Sequence, residues 1–70
     1  MTYSEAHKMA RDLGLDGWIE KRSSRWPVGK EHGGKFGMAR KRIVAVLGPV
    51  TGRPSKAERN FRWVVEVKVA

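Results

Sequence analysis

Cations set among glycines between Pro27 and Lys41 are the residues of this sequence best suited to chemistry. Glycines let a backbone approach a ligand closely and free its N–H groups, while lysine and arginine neutralise phosphates. The combination fits a sugar-phosphate backbone. The alternative interpretation is a flexible, solvated connection whose charge aids solubility. The glycines are Gly29, Gly33, Gly34 and Gly37, and the cations are Lys30, Lys35, Arg40 and Lys41.

Two aromatic residues, Trp26 and Phe36, stand beside these cations. Rings next to positive charge are typical of single-strand binders, in which bases stack on aromatic side chains. Both residues are therefore candidates for stacking, and the alternative is that they pin the segment to the core. Trp18 and Trp63 are expected in the core, because Trp18 falls in a helix-to-strand turn and Trp63 in an apolar register.

Positive charge is distributed unevenly along the 70-residue chain, whose net charge is +8. Residues 1–20 hold two cations against four carboxylates, a net charge of −2, whereas residues 21–70 hold thirteen against three, a net charge of +10. Such asymmetry favours a polyanionic partner, and we expect phosphate contacts with little base readout. The predicted nucleic-acid-binding residues are Arg25, Lys30, Lys35, Arg40, Lys41, Arg42, Arg53, Lys56, Arg59 and Arg62.

The sequence contains little that would support catalysis or metal binding. The only two histidines are His7 and His32, and no nucleophile, base and orienting acid share a recognisable motif. The stretch HGGKFG lacks the spacing of a dinucleotide loop, and GPVTGRPSK lacks the contiguous Gly-Lys-Ser/Thr of a phosphate-binding loop. Ligand clusters for zinc or calcium are missing as well. The sequence predicts a protein without enzymatic activity, cofactor or metal.

The elements that must position the basic residues begin with an amino-terminal helix. Thr2 and Glu5 have the spacing of a capping box, in which each side chain satisfies a backbone donor at a helix start. Gly14 is well placed to end the helix. An apolar stripe at three- and four-residue spacing then predicts a helix over residues 3–13. Its members are Tyr3, Ala6, Met9, Ala10 and Leu13.

Three segments of the sequence are predicted to form strands. Residues 17–26 are rich in strand formers and end before Pro27, and residues 42–47 form a continuous apolar run typical of a central strand. Residues 61–69 alternate, with Phe61, Trp63, Val65 and Val67 on one side. We therefore predict a single α+β domain over residues 1–70, with the helix packed on a three-stranded antiparallel meander in the order 1-2-3 (αβββ). A basic stripe would follow the outer sheet face through Lys21 or Arg25, Arg62 and Lys68.

Size and composition add two expectations. A chain of this length buries only about 60% of its unfolded surface, so its stability is marginal and self-association is a candidate source of more. The sequence has no cysteine, no apolar run long enough to cross a bilayer and no signal-peptide core near its amino terminus. These features favour a cytoplasmic protein.

A second functional hypothesis comes from the face of the sheet opposite the helix. Val44, Val46 and Val64 would remain there without a second layer, and an exposed apolar strip rimmed by charge marks a protein interface. A homodimer, an acidic host protein or a nucleoprotein complex would bury it. Small basic domains of this kind are common among phage-encoded inhibitors of host defence or transcription, including anti-CRISPR proteins. The helix followed by three strands also resembles the front of a double-stranded-RNA-binding domain, whose second helix with its lysine cluster has no counterpart among the predicted elements.

Overall fold

A computed structural model describes residues 1–50 and 60–69 and shows one helix packed against a curled antiparallel sheet of four strands. The strands lie in the order β1-β4-β3-β2. This confirms the α+β class and the amino-terminal helix. The elements are α1 Tyr3–Asp12, β1 Trp18–Ser23, β2 Glu31–His32, β3 Lys41–Pro49 and β4 Phe61–Lys68.

The predicted three-stranded meander is wrong in its order. β1 pairs with β4 instead of β3, and the short β2 forms the opposite edge within the segment that was expected to be a loop. Burial explains the difference, because four consecutive residues of β4, Trp63–Glu66, are buried and need cover on both faces. β1 mixes charged and apolar residues, which suits an edge strand.

The helix begins as its sequence predicts and packs through its smallest residues. The Glu5 backbone N–H donates to Thr2 Oγ1 at 3.2 Å, and the Thr2 N–H donates to Glu5 Oε1 at 3.0 Å, which confirms the capping box. Of the expected apolar stripe only Ala6 and Ala10 are buried. Their small side chains let the helix approach the sheet closely, while the larger members of the stripe, Tyr3, Met9 and Leu13, remain exposed.

The main core lies between the helix and one face of the sheet. Trp63 occupies its centre, only 7% exposed, and its indole N–H donates to the Met1 carbonyl at 2.8 Å and the Val50 carbonyl at 3.2 Å. The core position expected for Trp63 is therefore confirmed. The buried residues of this core are Ala6, Ala10, Leu47, Val50, Trp63 and Val65.

The side of the sheet opposite the helix is called the outer face. The register of the strands determines which residues lie on it. Ile43 pairs with Glu66 and Ala45 with Val65, and a register shift separates the two pairs. Because paired residues of adjacent strands point to the same side, Ile43 lies on the outer face and Ala45 faces the helix. The outer face comprises Trp18, Glu20, Arg22, His32, Lys41, Ile43, Val46, Arg62, Val64, Glu66 and Lys68.

Residues 24–30 lead across the outer face from β1 to β2 at the opposite edge of the sheet, and Trp26 packs over the outer-face residues Arg22 and His32. The Gly29 N–H donates to the Ile43 carbonyl at 2.7 Å, and the Ile43 N–H donates to the Lys30 carbonyl at 3.0 Å, which extends the pairing of β2 with β3. Ile43 is fully buried, and Val64 is 1% exposed. The expectation that Val64 lies uncovered is wrong, because this crossing segment supplies a second layer that the predicted meander lacked.

We expect Gly17→Ala to destabilise the domain by about 2 kcal/mol, the usual cost of forcing an extra group into a packed site. A Cβ at Gly17 would lie 2.4 Å from the Glu66 carbonyl oxygen and 2.9 Å from Val65 Cγ1, where β1 starts against β4. Urea unfolding followed by tryptophan fluorescence measures the loss. Gly29→Ala is the matched control, since Gly29 also has a positive φ but nothing within 4 Å of its Cβ position. Equal losses in the two variants would contradict the steric explanation.

Candidate functional site

A buried carboxylate lies at the centre of the outer face. Glu66 has no exposed surface, and its Oε1 accepts hydrogen bonds from Arg22 Nη2 at 2.9 Å and Arg22 Nε at 3.2 Å. Its Oε2 contacts His32 Nε2. Arg22 comes from β1, which is next to β4, and His32 comes from β2, which lies on the far side of β3. The cluster thus links both edge strands of the sheet to the inner strand β4.

Two opposing effects set the pKa of Glu66. Burial disfavours the charged carboxylate, and the hydrogen bonds and charges of Arg22 and His32 outweigh that effect, so that the pKa of Glu66 lies below its usual range. The carboxylate is therefore ionised at neutral pH and balances the Arg22 guanidinium. None of these three residues was among the predicted site residues. The available signal was an acidic residue inside the apolar alternation of β4.

Trp26 packs over this cluster and brings cations to its ring. Its ring centroid lies 5.2 Å from that of His32, Arg22 Cζ lies 5.5 Å from it, and Lys30 Nζ lies 5.4 Å from it. Trp26 is half-buried. The Trp26 ring thus holds the crossing segment against the sheet. It also keeps two cations beside its aromatic face, Arg22 from β1 and Lys30 from the crossing segment.

A second group of basic and aromatic residues lies at the end of the outer face where β3 begins. Lys41 and Lys68 are direct cross-strand partners, and we call them the lysine pair. Lys41 Nζ lies 4.9 Å from the ring centroid of Trp18. Neither lysine has a carboxylate within ion-pair distance among the described residues. Two like charges therefore stand opposite each other, and residues 1–50 and 60–69 supply no counter-charge within ion-pair distance.

The exposure of Trp18 corrects a prediction. This residue was expected in the core, but it is 47% exposed on the outer face. It pairs with Glu66, and strand alternation then sends its neighbour Ile19 to the core instead. The lysine pair consequently has an accessible indole beside it.

The basic run Arg40-Lys41-Arg42 does not act as one unit. Lys41 faces outward with the lysine pair, whereas Arg40 Nη1 and Arg42 Nη2 lie 3.7 and 3.4 Å from the two carboxylate oxygens of Glu31. Because Glu31 and Arg42 are cross-strand partners, both lie on the opposite side of the strand from Lys41. Within the described part of the chain, the central member of the run is therefore the one without an ion-pair partner.

The other predicted residues are spread over the surface. Arg25, Lys35 and Phe36 are exposed, and Phe36 is 99% exposed. Arg62 is exposed at the opposite end of the sheet from the lysine pair, beside Arg22 and Pro49. The predicted stripe through Lys21 is wrong, because Lys21 faces the helix side over Trp63. The predicted interface residues Val44 and Val46 are each 37% exposed.

The predicted residues Arg53, Lys56 and Arg59 lie outside the described part of the chain.

Within residues 1–50 and 60–69, no helix is both long and apolar enough to cross a membrane. The same residues contain no group of three or more histidine or acidic side chains that could hold a metal ion.

Comparison with protein-family models, curated proteins and solved structures finds no match for this chain.

Proposed function

We propose that this protein binds nucleic acid without catalysing a reaction, and that the lysine pair with Trp18 is the centre of the contact surface. The observation that carries the proposal is the placement of Lys41 and Lys68 directly opposite each other, with no described carboxylate within ion-pair distance. Like charges in that position destabilise a sheet. A bound strand removes the repulsion, since each ammonium group can neutralise one of two adjacent phosphates.

Trp18 gives this site a second kind of contact. Its ring is half-exposed and lies under Lys41, so a base can stack on the indole while its phosphate reaches the lysines. Stacking on a ring accepts every base, and phosphate contacts carry no sequence information. We therefore propose binding with little sequence preference.

Other cations extend the surface from this centre. Lys30 lies on the crossing segment over Trp26, and Lys35 lies on the exposed loop between β2 and β3. Arg25 is exposed in the turn after β1. Arg40 and Arg42 contribute less in this proposal, because Glu31 already balances them.

Fluorescence anisotropy with labelled single-stranded DNA, duplex DNA and duplex RNA, each at 50 and 200 mM salt, tests the proposal. If about four phosphates are neutralised, affinity for the preferred probe falls roughly a hundredfold between the two salt concentrations, at a slope of about −0.9 per phosphate. Weak binding to all three probes at 50 mM salt would overturn the proposal.

A second candidate function, binding to an acidic protein or to a second copy of the chain, is supported by the partial exposure of Val44 and Val46 on β3. An inhibitor or adaptor of this type forms a stoichiometric complex that tolerates salt. Size-exclusion chromatography with light scattering at 50 and 500 mM salt tests the homodimer. A monomer at both concentrations leaves only the heterologous partner for this function.

A further inference from the structure

The loop between β2 and β3, residues 33–40, leaves the sheet beside the lysine pair. His32, the last residue of β2, pairs with Lys41, and Lys41 pairs in turn with Lys68. The Val69 N–H donates to the Arg40 carbonyl at 2.8 Å, which ties the end of the loop to the end of β4. A nucleic acid bound at the lysine pair therefore passes next to this loop.

The tip of the loop holds an aromatic side chain away from the protein. Phe36 is 99% exposed and has a φ of 53°, a left-handed conformation that is uncommon for residues other than glycine. Met38, two residues on, is 68% exposed. Both the exposed ring and its backbone conformation cost free energy in the unbound protein, and contact with a ligand recovers the cost of exposing the ring.

Contacts at the base of the loop fix the direction in which the tip projects. A Cβ at Gly33 would lie 2.6 Å from the Ala39 carbonyl oxygen, so the two arms of the loop approach more closely than any side chain permits. The Met38 N–H donates to the Lys35 carbonyl at 3.0 Å and closes the turn that contains Phe36.

The charge around Phe36 selects the class of ligand. Residues 33–40 include Lys35 and Arg40 and contain no acidic residue. Phe36 thus belongs to a positive segment whose two ends lie next to the lysine pair. A polyanion with aromatic faces satisfies both features, whereas an apolar protein pocket accounts only for the ring.

We propose that Phe36 stacks on an unstacked nucleobase of the strand that is held at the lysine pair. The inference rests on the proposed function and adds to it an aromatic contact outside the sheet. The base can come from a single strand or from an opened step of a duplex, since apolar side chains also insert between base steps.

Phe36→Ala tests the inference, with Leu13→Ala as a control that removes another large and mostly exposed apolar side chain, 64% exposed at the end of the helix. Affinity is measured by anisotropy on single-stranded and duplex probes between 50 and 200 mM salt. We expect Phe36→Ala to weaken binding between about 5-fold and 150-fold, with an unchanged salt slope, because a stacked base contributes roughly 1–3 kcal/mol. Phe36→Trp should retain the affinity, and Leu13→Ala should bind as the wild type does.

A second readout separates stacking from an indirect effect. A 2-aminopurine base placed along the probe changes its fluorescence when a ring stacks on it, and Phe36→Ala should abolish that change. If the wild type binds and Phe36→Ala binds equally tightly, this inference alone fails. If the wild type binds none of the probes, the proposed function fails with it. Loss of a protein complex in Phe36→Ala, with nucleic-acid affinity intact, would assign the loop to a protein partner instead.

Discussion

Glu66→Gln is expected to lower the free energy of unfolding by about 3 kcal/mol, because breaking a buried charge pair usually costs about 3–5 kcal/mol. The Arg22 side chain is 27% exposed and can regain some hydration, which favours the lower end of that range. Total stability is roughly 0.05–0.15 kcal/mol per residue, so the loss is a large part of the whole. Urea unfolding followed by tryptophan fluorescence should show the midpoint falling by about 2–3 M.

Glu20→Gln is the matched control for this variant. Glu20 lies on the same face of the sheet and is half-buried, and it has no hydrogen-bond or ion-pair partner among the described residues. Removal of its charge should change stability by less than about 0.5 kcal/mol. Replacing both members of the pair, as in Arg22→Met with Glu66→Leu, should recover part of the loss, since apolar residues of similar volume often substitute for a buried pair. Equal effects of Glu66→Gln and Glu20→Gln would contradict the central role of Glu66.

The same comparison has a pH dependence with a definite sign. The pKa of Glu66 is lowered in the folded state, so its stabilisation is fully present above the unfolded pKa of about 4.3 and is lost as pH falls through the lower folded value. The difference in unfolding free energy between wild type and Glu66→Gln should therefore shrink below about pH 4. Glu5 also has a lowered pKa, through its hydrogen bonds with Thr2, but it is present in both proteins and cancels. A difference that stayed constant down to pH 2 would be inconsistent with an ionised Glu66.

Local sequence patterns correctly predicted the features that depend on residues close to one another in the chain. The capping box of Thr2 and Glu5 places the helix start, and the alternation after Phe61 places Trp63 and Val65 toward the core. Both signals rest on interactions within a few residues. They predict where elements begin and which face they bury, and they agree with the structure.

The order of the strands required information that no local pattern carries. The sequence of β4 alternates as a strand with one buried face does, yet Glu66 is buried on the other face because Arg22 and His32 reach it from distant segments. The register shift after Ile43 also reverses which residues of β3 face the helix. Long-range pairing of a buried charge and a one-residue bulge both change the sheet without a strong signal in the sequence.

In the candidate site, too, local patterns predicted single residues but not the long-range pairing that brings them together. Sequence reasoning identified Lys41 as part of a basic run and Lys68 only as part of a stripe, whereas the structure makes them direct partners across two strands. It also assigned Trp18 to the core, because a tryptophan near a turn is commonly buried. The juxtaposition of these three residues depends on register, which a composition-based argument cannot supply.

Glu66 links the stability of the domain to the proposed surface. Its carboxylate is engaged by Arg22 and His32, and the ring of Trp26 packs over these two partners with Lys30 beside it. The lysine pair, two residues from Glu66 along β4, gains no compensation from that carboxylate. The fold thus uses its buried acid for structure and leaves the neighbouring cations available to a ligand.

Replacing the lysine pair, as in Lys41→Gln with Lys68→Gln, is expected to weaken nucleic-acid binding by about a hundredfold at 50 mM salt. Each phosphate contact contributes about −0.9 to the slope of log affinity against log salt concentration. Between 1 M and 50 mM salt, this slope corresponds to a gain of roughly tenfold in affinity for each contact. The plot of log affinity against log salt should become shallower by about 1.8. The domain should stay folded and become slightly more stable, because the repulsion between two opposed lysines is removed.

The control for this pair is Lys8→Gln with Arg11→Gln, which changes the net charge equally but lies on the exposed side of the helix. Anisotropy on the preferred probe at several salt concentrations compares the two variants. We expect the helix variant to keep most of the affinity and of the salt slope, because only long-range attraction is reduced. If both variants lose affinity equally, net charge and not the lysine pair drives binding. A loss in the lysine variant alone, together with a urea midpoint no lower than that of the wild type, assigns the phosphate contact to the outer face of the sheet.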